Sequence, residues 1–150
     1  MRQVIELQEA SLATRPRALP TARQYGSRRA GLAYERLVAS RTGGLHGQWF
    51  RYRDINGSGY CQPDIILQLD GAAYVLEVKL SNCAEARKQL LGLYIPVVSR
   101  ALCKPSFGII IVRCLTPDVD PNAVVTCLGA AIERSRTTVP VVHWLGRGNL

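Results

Sequence analysis

The sequence predicts an α/β fold in which a central mixed β-sheet is flanked by helices. Two observations lead to this prediction. Amphipathic helical segments alternate with short apolar strand segments, in the order helix, three strands, helix, strand, helix, strand. The composition is that of a globular protein, with 47% hydrophobic and 20% charged residues. A chain of 150 residues is long enough to form one domain with a substantial core.

Residues 1–26 are predicted to form a basic N-terminal arm, followed by a single domain over residues 27–150. Pro16 and Pro20 interrupt helix formation in the arm, and its arginines outnumber its acidic residues. The formal net charge of the chain is +8, which favours a polyanionic partner, nucleic acid first and an anionic membrane second. The arm would then follow DNA phosphates or pack on a dimer partner. A frayed, solvated terminus is the alternative.

The sequence also predicts a cytoplasmic protein that does not enter a membrane. No apolar run reaches the length of a membrane span, and the N-terminus lacks the apolar core of a signal peptide. None of the cysteines forms a CxxC pair, and each lies among apolar or helical residues, so we expect buried free thiols in a reducing compartment. These cysteines are Cys61, Cys83, Cys103, Cys114 and Cys127.

The first predicted helix runs from Ser27 to about Arg41 and is ended by Gly43-Gly44. Glu35 lies next to the apolar stripe of this helix, so it could look toward the later strands or pair with a neighbouring arginine on the surface. The stripe consists of Ala30, Tyr34, Leu37 and Val38. The arginines near Glu35 on the helix are Arg28, Arg29 and Arg36.

A strand with alternating faces is predicted from Gly47 to Ile55. One face carries Trp49, Arg51 and Arg53, and the other carries Phe50 and Tyr52. The two arginines would face either phosphate or solvent. The following Asn56-Gly57-Ser58-Gly59 is predicted to be a turn whose amides and Ser58 hydroxyl either bind a phosphate or simply reverse the chain. His46, in a glycine-rich loop before the strand, is assigned no role.

Residues 62–80 are predicted to form a β-hairpin, because two apolar runs flank Asp70-Gly71, the strongest short hairpin signal. Side chains alternate between the faces of a strand, so Glu77 and Lys79 point the same way. An antiparallel partner strand would bring Asp64 beside them. Two carboxylates and an ammonium near a core indicate a cation site or a catalytic site. A salt bridge on a solvated face is the alternative.

These residues match the chemistry of a hard divalent cation. Magnesium takes oxygen ligands, usually one or two carboxylates together with waters and phosphate oxygens. Asp64, Glu77 and the backbone carbonyl of Val78 could supply three such oxygens, to Mg²⁺ or to Mn²⁺. Lys79 is a poor ligand, but it could orient or deprotonate a water, or neutralise charge that develops on a phosphate.

The second half of the chain is predicted to cover the sheet. A second helix begins at Ser81-Asn82, and Pro96 should kink or end it and thereby release the carbonyl near Gly92. The last elements are a doubly buried strand over 107–112, an Ala-rich helix over 121–136 and a strand over 139–145. His143 in the last strand is expected to be a packed residue rather than a catalytic base.

Pro63-Asp64 followed by Glu77-Val78-Lys79, with Glu35 on an upstream helix, resembles the PD-(D/E)xK nuclease superfamily. The resemblance covers about residues 27–115, and within the superfamily the pattern is most similar to the archaeal-type Holliday junction resolvases. It implies a restriction-endonuclease-like core plus a C-terminal helix and strand. It also implies that Glu35 joins the metal site or positions a water. A Gln89…Tyr94 pair is similar to the Gln-xxx-Tyr of RecB-like exonucleases but is one residue too long.

The resemblance implies a Mg²⁺-dependent DNA endonuclease that cuts four-way junctions as a homodimer, with two sites on a two-fold axis. An exonuclease and a restriction-type endonuclease are alternatives, although 150 residues leave little room for a base-reading module. The alternative that is not an enzyme is a nucleic-acid-binding protein without catalytic activity. The residues predicted to bind nucleic acid are Arg28, Arg29, Arg36, Arg51, Arg53 and Ser58.

Overall fold

Two β-sheets organise the described part of the chain, which is residues 2–17 and 27–150 of a computed structural model, without the side chains of Ser27 and Arg28. The strands are β1 Glu9–Ala13, β2 Leu45–His46, β3 Trp49–Asp54, β4 Gly57–Cys61, β5 Ile65–Leu69, β6 Ala72–Lys79, β7 Ser106–Val112, β8 Val124–Val125 and β9 Val141–His143. The helices are α1 Ser27–Thr42, α2 Cys83–Gln89, α3 Ile95–Leu102 and α4 Leu128–Arg134. None of the helices in these residues is long and apolar enough to cross a membrane.

The larger sheet has six strands in the order β2-β5-β6-β7-β9-β8 and is mixed. The pairs β2–β5 and β5–β6 are antiparallel, whereas β6–β7, β7–β9 and β8–β9 are parallel. The predicted α/β fold with a central mixed sheet and flanking helices is therefore confirmed. A second sheet of three antiparallel strands, in the order β1-β3-β4, was not predicted as a separate unit.

The central hairpin forms where the sequence predicts it. Leu69 pairs with Ala72 at the end of the β5–β6 ladder. Asp70 and Gly71 have φ angles of 51° and 77°, so both central residues of the turn are left-handed. Such a turn follows the right-handed twist of the two strands and is favoured by the Asp-Gly pair.

Strand β6 divides the core into two layers, because its side chains alternate between the two faces of the sheet. Val75 contributes to a cluster with Ala86, Leu90 and Val97 from the helical segment after the hairpin. Leu76 contributes to the opposite cluster, which contains residues of α1 and α4. Helices thus cover both faces of β6, which explains why it is buried over nearly its whole length.

Pro96 does not end the second helical segment, which passes through a π-helical turn just before it. Leu90–Tyr94 form a π-helical turn in which the amide of Ile95 donates to the carbonyl of Leu90, and α3 then continues to Leu102. Proline has no amide hydrogen to donate to the carbonyl four residues earlier, that of Gly92. This carbonyl accepts instead from the amide of Val4, at 2.9 Å. The predicted release of the Gly92 carbonyl is therefore confirmed, and Pro96 lies in the first turn of α3 instead of ending the segment.

The N-terminal segment differs from the expected arm over residues 1–26. Strand β1 pairs with β3 along its whole length, from Glu9↔Arg53 to Ala13↔Trp49. Val4 and Leu7 pack against the core ahead of it. A strand edge and a core groove are thus covered by residues 2–13, so this part belongs to the domain. Residues 18–26 lie outside the described residues.

Two predicted boundaries are wrong. The expected helix over 121–136 is a 3₁₀ turn at Pro121–Ala123, then β8, and then α4 from Leu128. Its Val124 and Val125 are β-branched and pair with β9, which helical periodicity alone does not reveal. The expected turn 56–59 is shorter, because Ser58 already pairs with Arg53 in the ladder between β3 and β4.

All the cysteines are free, but only Cys61 and Cys83 are buried. Cys103 and Cys114 are exposed, and Cys127 is half-buried. The expectation of buried thiols throughout is therefore wrong for the later residues. Cys103 ends α3 in a left-handed conformation, and its φ angle is 52°.

Candidate active site

Asp64, Glu77 and Lys79 come together at one end of the β5–β6 hairpin. Ile65 pairs with Leu76, and continuing this antiparallel register places Asp64 opposite Glu77. The amide of Val78 donates to Asp64 Oδ2 at 2.8 Å, which holds the carboxylate against the strand. The amide of Gly47 donates to the main-chain carbonyl of Asp64 at 3.0 Å. The arrangement predicted from the hairpin is therefore present.

Glu77 is a buried carboxylate with one unsatisfied oxygen. The residue is 1% exposed. Its Oε1 lies 3.1 Å from Lys79 Nζ, whereas its Oε2 has no hydrogen-bond partner among the described residues. Burying a carboxylate oxygen without a partner is costly, so this atom requires a proton or a cation. The alternative of a salt bridge on a solvated face does not fit this burial.

The electrostatics of the two carboxyl groups agree with this geometry. Burial is the largest cause that raises the pKa of Asp64, to about 7, and the charge of Glu35 adds to it. Burial also raises the pKa of Glu77 to about 8, with a further contribution from Asp64. The Lys79 ammonium opposes both shifts. Without a cation, the pair therefore retains protons near neutral pH, and a bound divalent ion would displace them.

Helix α1 brings Glu35 close enough for its charge to raise the pKa of Asp64, and His46 contacts Glu35. The Tyr34 hydroxyl donates to the carbonyl of Trp144 at 2.6 Å, which anchors this turn of the helix in the core. Glu35 Oε1 lies 2.7 Å from His46 Nε2, and the two side chains are 20% and 32% exposed. We call Glu35, Asp64 and Glu77 the acidic cluster.

His46 was not assigned a role from the sequence. It lies in β2, and its pairing with Ile65 puts it one residue from Asp64 across the sheet. A single histidine in a glycine-rich loop carries no local signal for this contact. Only the pairing of β2 with β5, which is two residues long, brings it to Glu35.

The π-helical turn brings Tyr94 near the carboxylates of Glu77 and Asp64. Burial raises the pKa of Tyr94, and the negative charges of Glu77 and then Asp64 raise it further. Gln89 precedes the π turn, and its buried Oε1 finds no hydrogen-bond partner in residues 2–17 and 27–150. A π turn closes over five residues instead of four. The one-residue excess in the Gln89…Tyr94 spacing is thus matched by a wider turn of helix.

The residues predicted to bind nucleic acid separate into two groups. Arg29 and Arg36 are exposed on α1, whereas the side chain of Arg28 lies outside the described part. The second group lies on the outward face of the three-stranded sheet and consists of Arg51, Arg53 and Ser58. His143 is exposed rather than packed, so that prediction is wrong; its Nε2 lies 3.0 Å from the carbonyl of Arg113.

The acidic cluster offers few protein ligands for a metal ion. Within residues 2–17 and 27–150, no group of three or more His, Cys, Asp or Glu side chains is arranged to hold one. Magnesium nevertheless commonly takes only one or two carboxylates and completes its shell with waters and substrate oxygens. The partnerless Oε2 of Glu77 and the adjacent carboxylate of Asp64 fit that requirement, with the Val78 carbonyl as a further oxygen.

The arrangement as a whole places two carboxylates beside an ammonium group that is 27% exposed. That combination serves phosphate chemistry, because it neutralises charge on the substrate while a nearby group orients a water. Comparison with known proteins adds nothing to these observations. No family model, no curated protein and no solved structure matches the chain.

Proposed function

We propose that this chain is a metal-dependent nuclease that hydrolyses phosphodiester bonds of DNA. The observation that carries the proposal is the buried Glu77 carboxylate, whose Oε2 lacks a partner in the described residues while Asp64 and Lys79 stand beside it. Buried ion pairs in proteins usually have their remaining polar atoms hydrogen-bonded as well. A carboxylate left half satisfied at this burial is instead suited to a cation.

Asp64, Glu77 and the Val78 carbonyl would hold Mg²⁺ or Mn²⁺, with Glu35 as a further ligand or as the residue that positions a water. When bound, the ion would neutralise charge on the phosphate and promote ionisation of a water. Lys79, 3.1 Å from Glu77 Oε1 and 27% exposed, can reach outward to orient the attacking water. The attacking water loses a proton to solvent as its oxygen forms a bond to phosphorus. The bond from phosphorus to the 3′ oxygen breaks, and that oxygen leaves as a hydroxyl after taking a proton from a second water.

The charge of the chain supports a nucleic-acid substrate. The net charge is +8, and Arg29 and Arg36 are exposed on the helix that also carries Glu35. Phosphate contacts of this kind position a duplex without reading its sequence. We further propose a branched duplex, and four-way junctions first, as the substrate, with a homodimer that cuts two strands symmetrically.

Cleavage of three labelled DNA substrates tests the proposal. A four-way junction, a linear duplex and a single strand are incubated with Mg²⁺ or Mn²⁺ and with EDTA. The variants are Asp64→Asn and, as a matched control, Asp70→Asn, which makes the same chemical change in the exposed hairpin turn. We expect metal-dependent cleavage by the wild type and by Asp70→Asn, and none by Asp64→Asn.

The products distinguish the alternatives. Paired symmetric nicks in the junction alone support a junction resolvase. Degradation of linear DNA from its ends supports an exonuclease of the same chemistry. If the protein binds the junction but cleaves no substrate with either Mg²⁺ or Mn²⁺, the proposal is contradicted and a non-catalytic binding protein is favoured.

A further inference from the structure

The outward face of the three-stranded sheet carries arginine and aromatic side chains in neighbouring positions. The strand register aligns Ser11, Arg51 and Tyr60 in one row across the sheet. The next row toward the β3–β4 turn consists of Glu9, Arg53 and Ser58. Trp49 lies two residues before Arg51 on the same face. We call the surface formed by Ser11, Trp49, Arg51, Arg53, Ser58 and Tyr60 the open face.

The open face is accessible and positively charged at its centre. Tyr60 is 45% exposed, although large apolar rings on a sheet are usually covered. Arg53 is neutralised by Glu9, whose Oε1 lies 2.9 Å away, whereas Arg51 forms no salt bridge with any described residue. A depression of about 410 Å³ lies beside Arg51. Its lining includes Glu9, Ser11, Arg53 and Ser58 but not Tyr60.

The open face leads to the acidic cluster. Strand β3 begins at Trp49, two residues after Gly47, whose amide binds the Asp64 carbonyl. Strand β4 ends at Cys61, three residues before Asp64. Gln62 ties these two connections together by donating to the carbonyl of Gly47 at 2.9 Å. Trp49 and Tyr60 therefore lie at the end of the open face that is nearer the site.

We infer that the open face binds single-stranded nucleic acid and directs it to the acidic cluster; the inferred direction rests on the proposed nuclease function. A duplex hides the flat surfaces of its bases and offers mainly phosphates to a protein. An exposed aromatic ring gains little from such a partner, whereas an unpaired base stacks on it. Tyr60 would stack one base, Arg51 would contact a neighbouring phosphate, and the half-buried Trp49 would offer only part of its ring. Among branched duplexes, the open face would thus favour those with an unpaired segment next to the cleavage point over a fully paired four-way junction.

Binding measured in EDTA tests the inference independently of cleavage. Fluorescence anisotropy is recorded for a labelled oligothymidine and for a blunt duplex of equal length. Tyr60→Leu removes the ring but remains apolar, and Tyr60→Phe retains it. We expect Tyr60→Leu to weaken binding of the single strand by about 5- to 50-fold, because stacking of one base is lost. Tyr60→Phe should stay within about twofold of the wild type, since the ring that stacks is intact.

Arg51 gives a second and different readout. Arg51→Ala should reduce the slope of log affinity against log salt by about 0.7 for the single strand, as expected for one lost phosphate contact. Arg147→Ala removes the same charge from the exposed C-terminal tail and should leave the slope unchanged. Tyr60→Leu should leave the slope unchanged as well. Thermal melts of each variant verify that the fold is intact.

The outcomes separate this inference from the proposed function. Selective loss of single-strand binding supports the open face as the binding surface even if no substrate is cleaved, in which case the nuclease proposal fails alone. Equal losses for duplex and single strand, or unchanged binding by Tyr60→Leu, would overturn the inference even if cleavage occurs. So would a change of oligomeric state without any change of affinity, which would mark the open face as a contact between two copies of the chain.

Discussion

Asp54 and Glu77 are both buried carboxylates, yet their surroundings are opposite. They are 2% and 1% exposed. Asp54 accepts from the amides of Ile5 and Asn56, at 3.2 and 2.9 Å, and from the Arg2 guanidinium. Glu77 accepts only from Lys79, through one oxygen, as far as the described residues are concerned. The same chemical group is thus fully satisfied at one place and left incomplete at the other.

The pKa values move in opposite directions for the same reason. Burial opposes ionisation of Asp54, but its hydrogen bonds from Ile5, Asn56 and Arg2 outweigh burial and lower its pKa. At Glu77, burial dominates and raises the pKa to about 8. Asp54 therefore acts as a structural anchor that fastens the N-terminal segment to the domain. Glu77 is costly to the fold unless something else binds it, and this is typical of a functional site.

Variants of Glu77 and Asp54 should differ most in their rates of DNA cleavage. Glu77→Gln should lower metal-dependent cleavage by at least about 100- to 1,000-fold, because an electrostatic contribution to the transition state is lost. Asp54→Asn should retain wild-type cleavage when it is assayed well below its melting temperature. The rates are measured under single-turnover conditions with Mg²⁺. Equal loss in both variants would mean that the two carboxylates do not differ in function.

Loss of the contact between His46 and Glu35 should lower cleavage activity less than loss of the Glu77 carboxylate does. His46→Gln removes the imidazole that holds Glu35, and the loss of such a positioning residue typically lowers activity or metal affinity by about 10- to 100-fold. The Mg²⁺ concentration for half-maximal rate should rise, whereas a general loss of fold would lower the melting temperature. His143→Gln is the matched control, because His143 is also an exposed strand histidine. Equal effects in the two variants would remove His46 from the site.

Replacing each carboxylate by an amide should change the stability of the fold in opposite directions at Asp54 and Glu77. Asp54→Asn should lower the melting temperature, because the amide group offers one acceptor where the carboxylate offered two. Glu77→Gln should raise the free energy of unfolding by about 1–3 kcal/mol at pH 8 in EDTA, since a neutral group replaces one that resists ionisation. Urea unfolding of the three proteins measures both changes. Destabilisation by Glu77→Gln would contradict the assignment of Glu77 as an unsatisfied group.

The pH dependence follows from the two directions of shift. The folded pKa values of Asp64 and Glu77 are raised to about 7 and about 8, so their contribution to stability is present at low pH and is lost as the pH rises through these values. For Asp54 the folded pKa is lowered, so its contribution is present above its ordinary value and is lost as the pH falls. Melting temperatures in EDTA should therefore fall as the pH rises from about 4 to about 8 and change little above that, and the melting temperature of Glu77→Gln should fall less. Mg²⁺ should raise the melting temperature of the wild type more at pH 8 than at pH 6.

The parts that sequence predicts well are local. The Asp70-Gly71 turn sets the register of β5 and β6, and this register alone brings Asp64 opposite Glu77. Helix α1 was predicted to within a residue or two, with Glu35 beside its apolar stripe. The release of the Gly92 carbonyl by Pro96 is likewise a local consequence of proline.

The parts that sequence misses depend on distant partners. Arg2 and Asp54 are 52 positions apart, and no periodicity in the basic N-terminal segment indicates that they meet. Recognition of β1 as a strand required knowing that one edge of β3 is open to it. His46 and Glu35 are brought together by a two-residue pairing that follows from the tertiary fold. Local sequence patterns do not predict long-range pairing of this kind, because the partners are far apart in the chain.

Calorimetric titration of Mn²⁺ into the wild type, Glu77→Gln and Asp54→Asn at pH 7.5 determines whether the buried carboxylate of Glu77 is a cation ligand. We predict saturable binding by the wild type and by Asp54→Asn, with release of protons, and loss of that binding in Glu77→Gln. Equal binding by the wild type and Glu77→Gln, or no binding by either, would contradict the account.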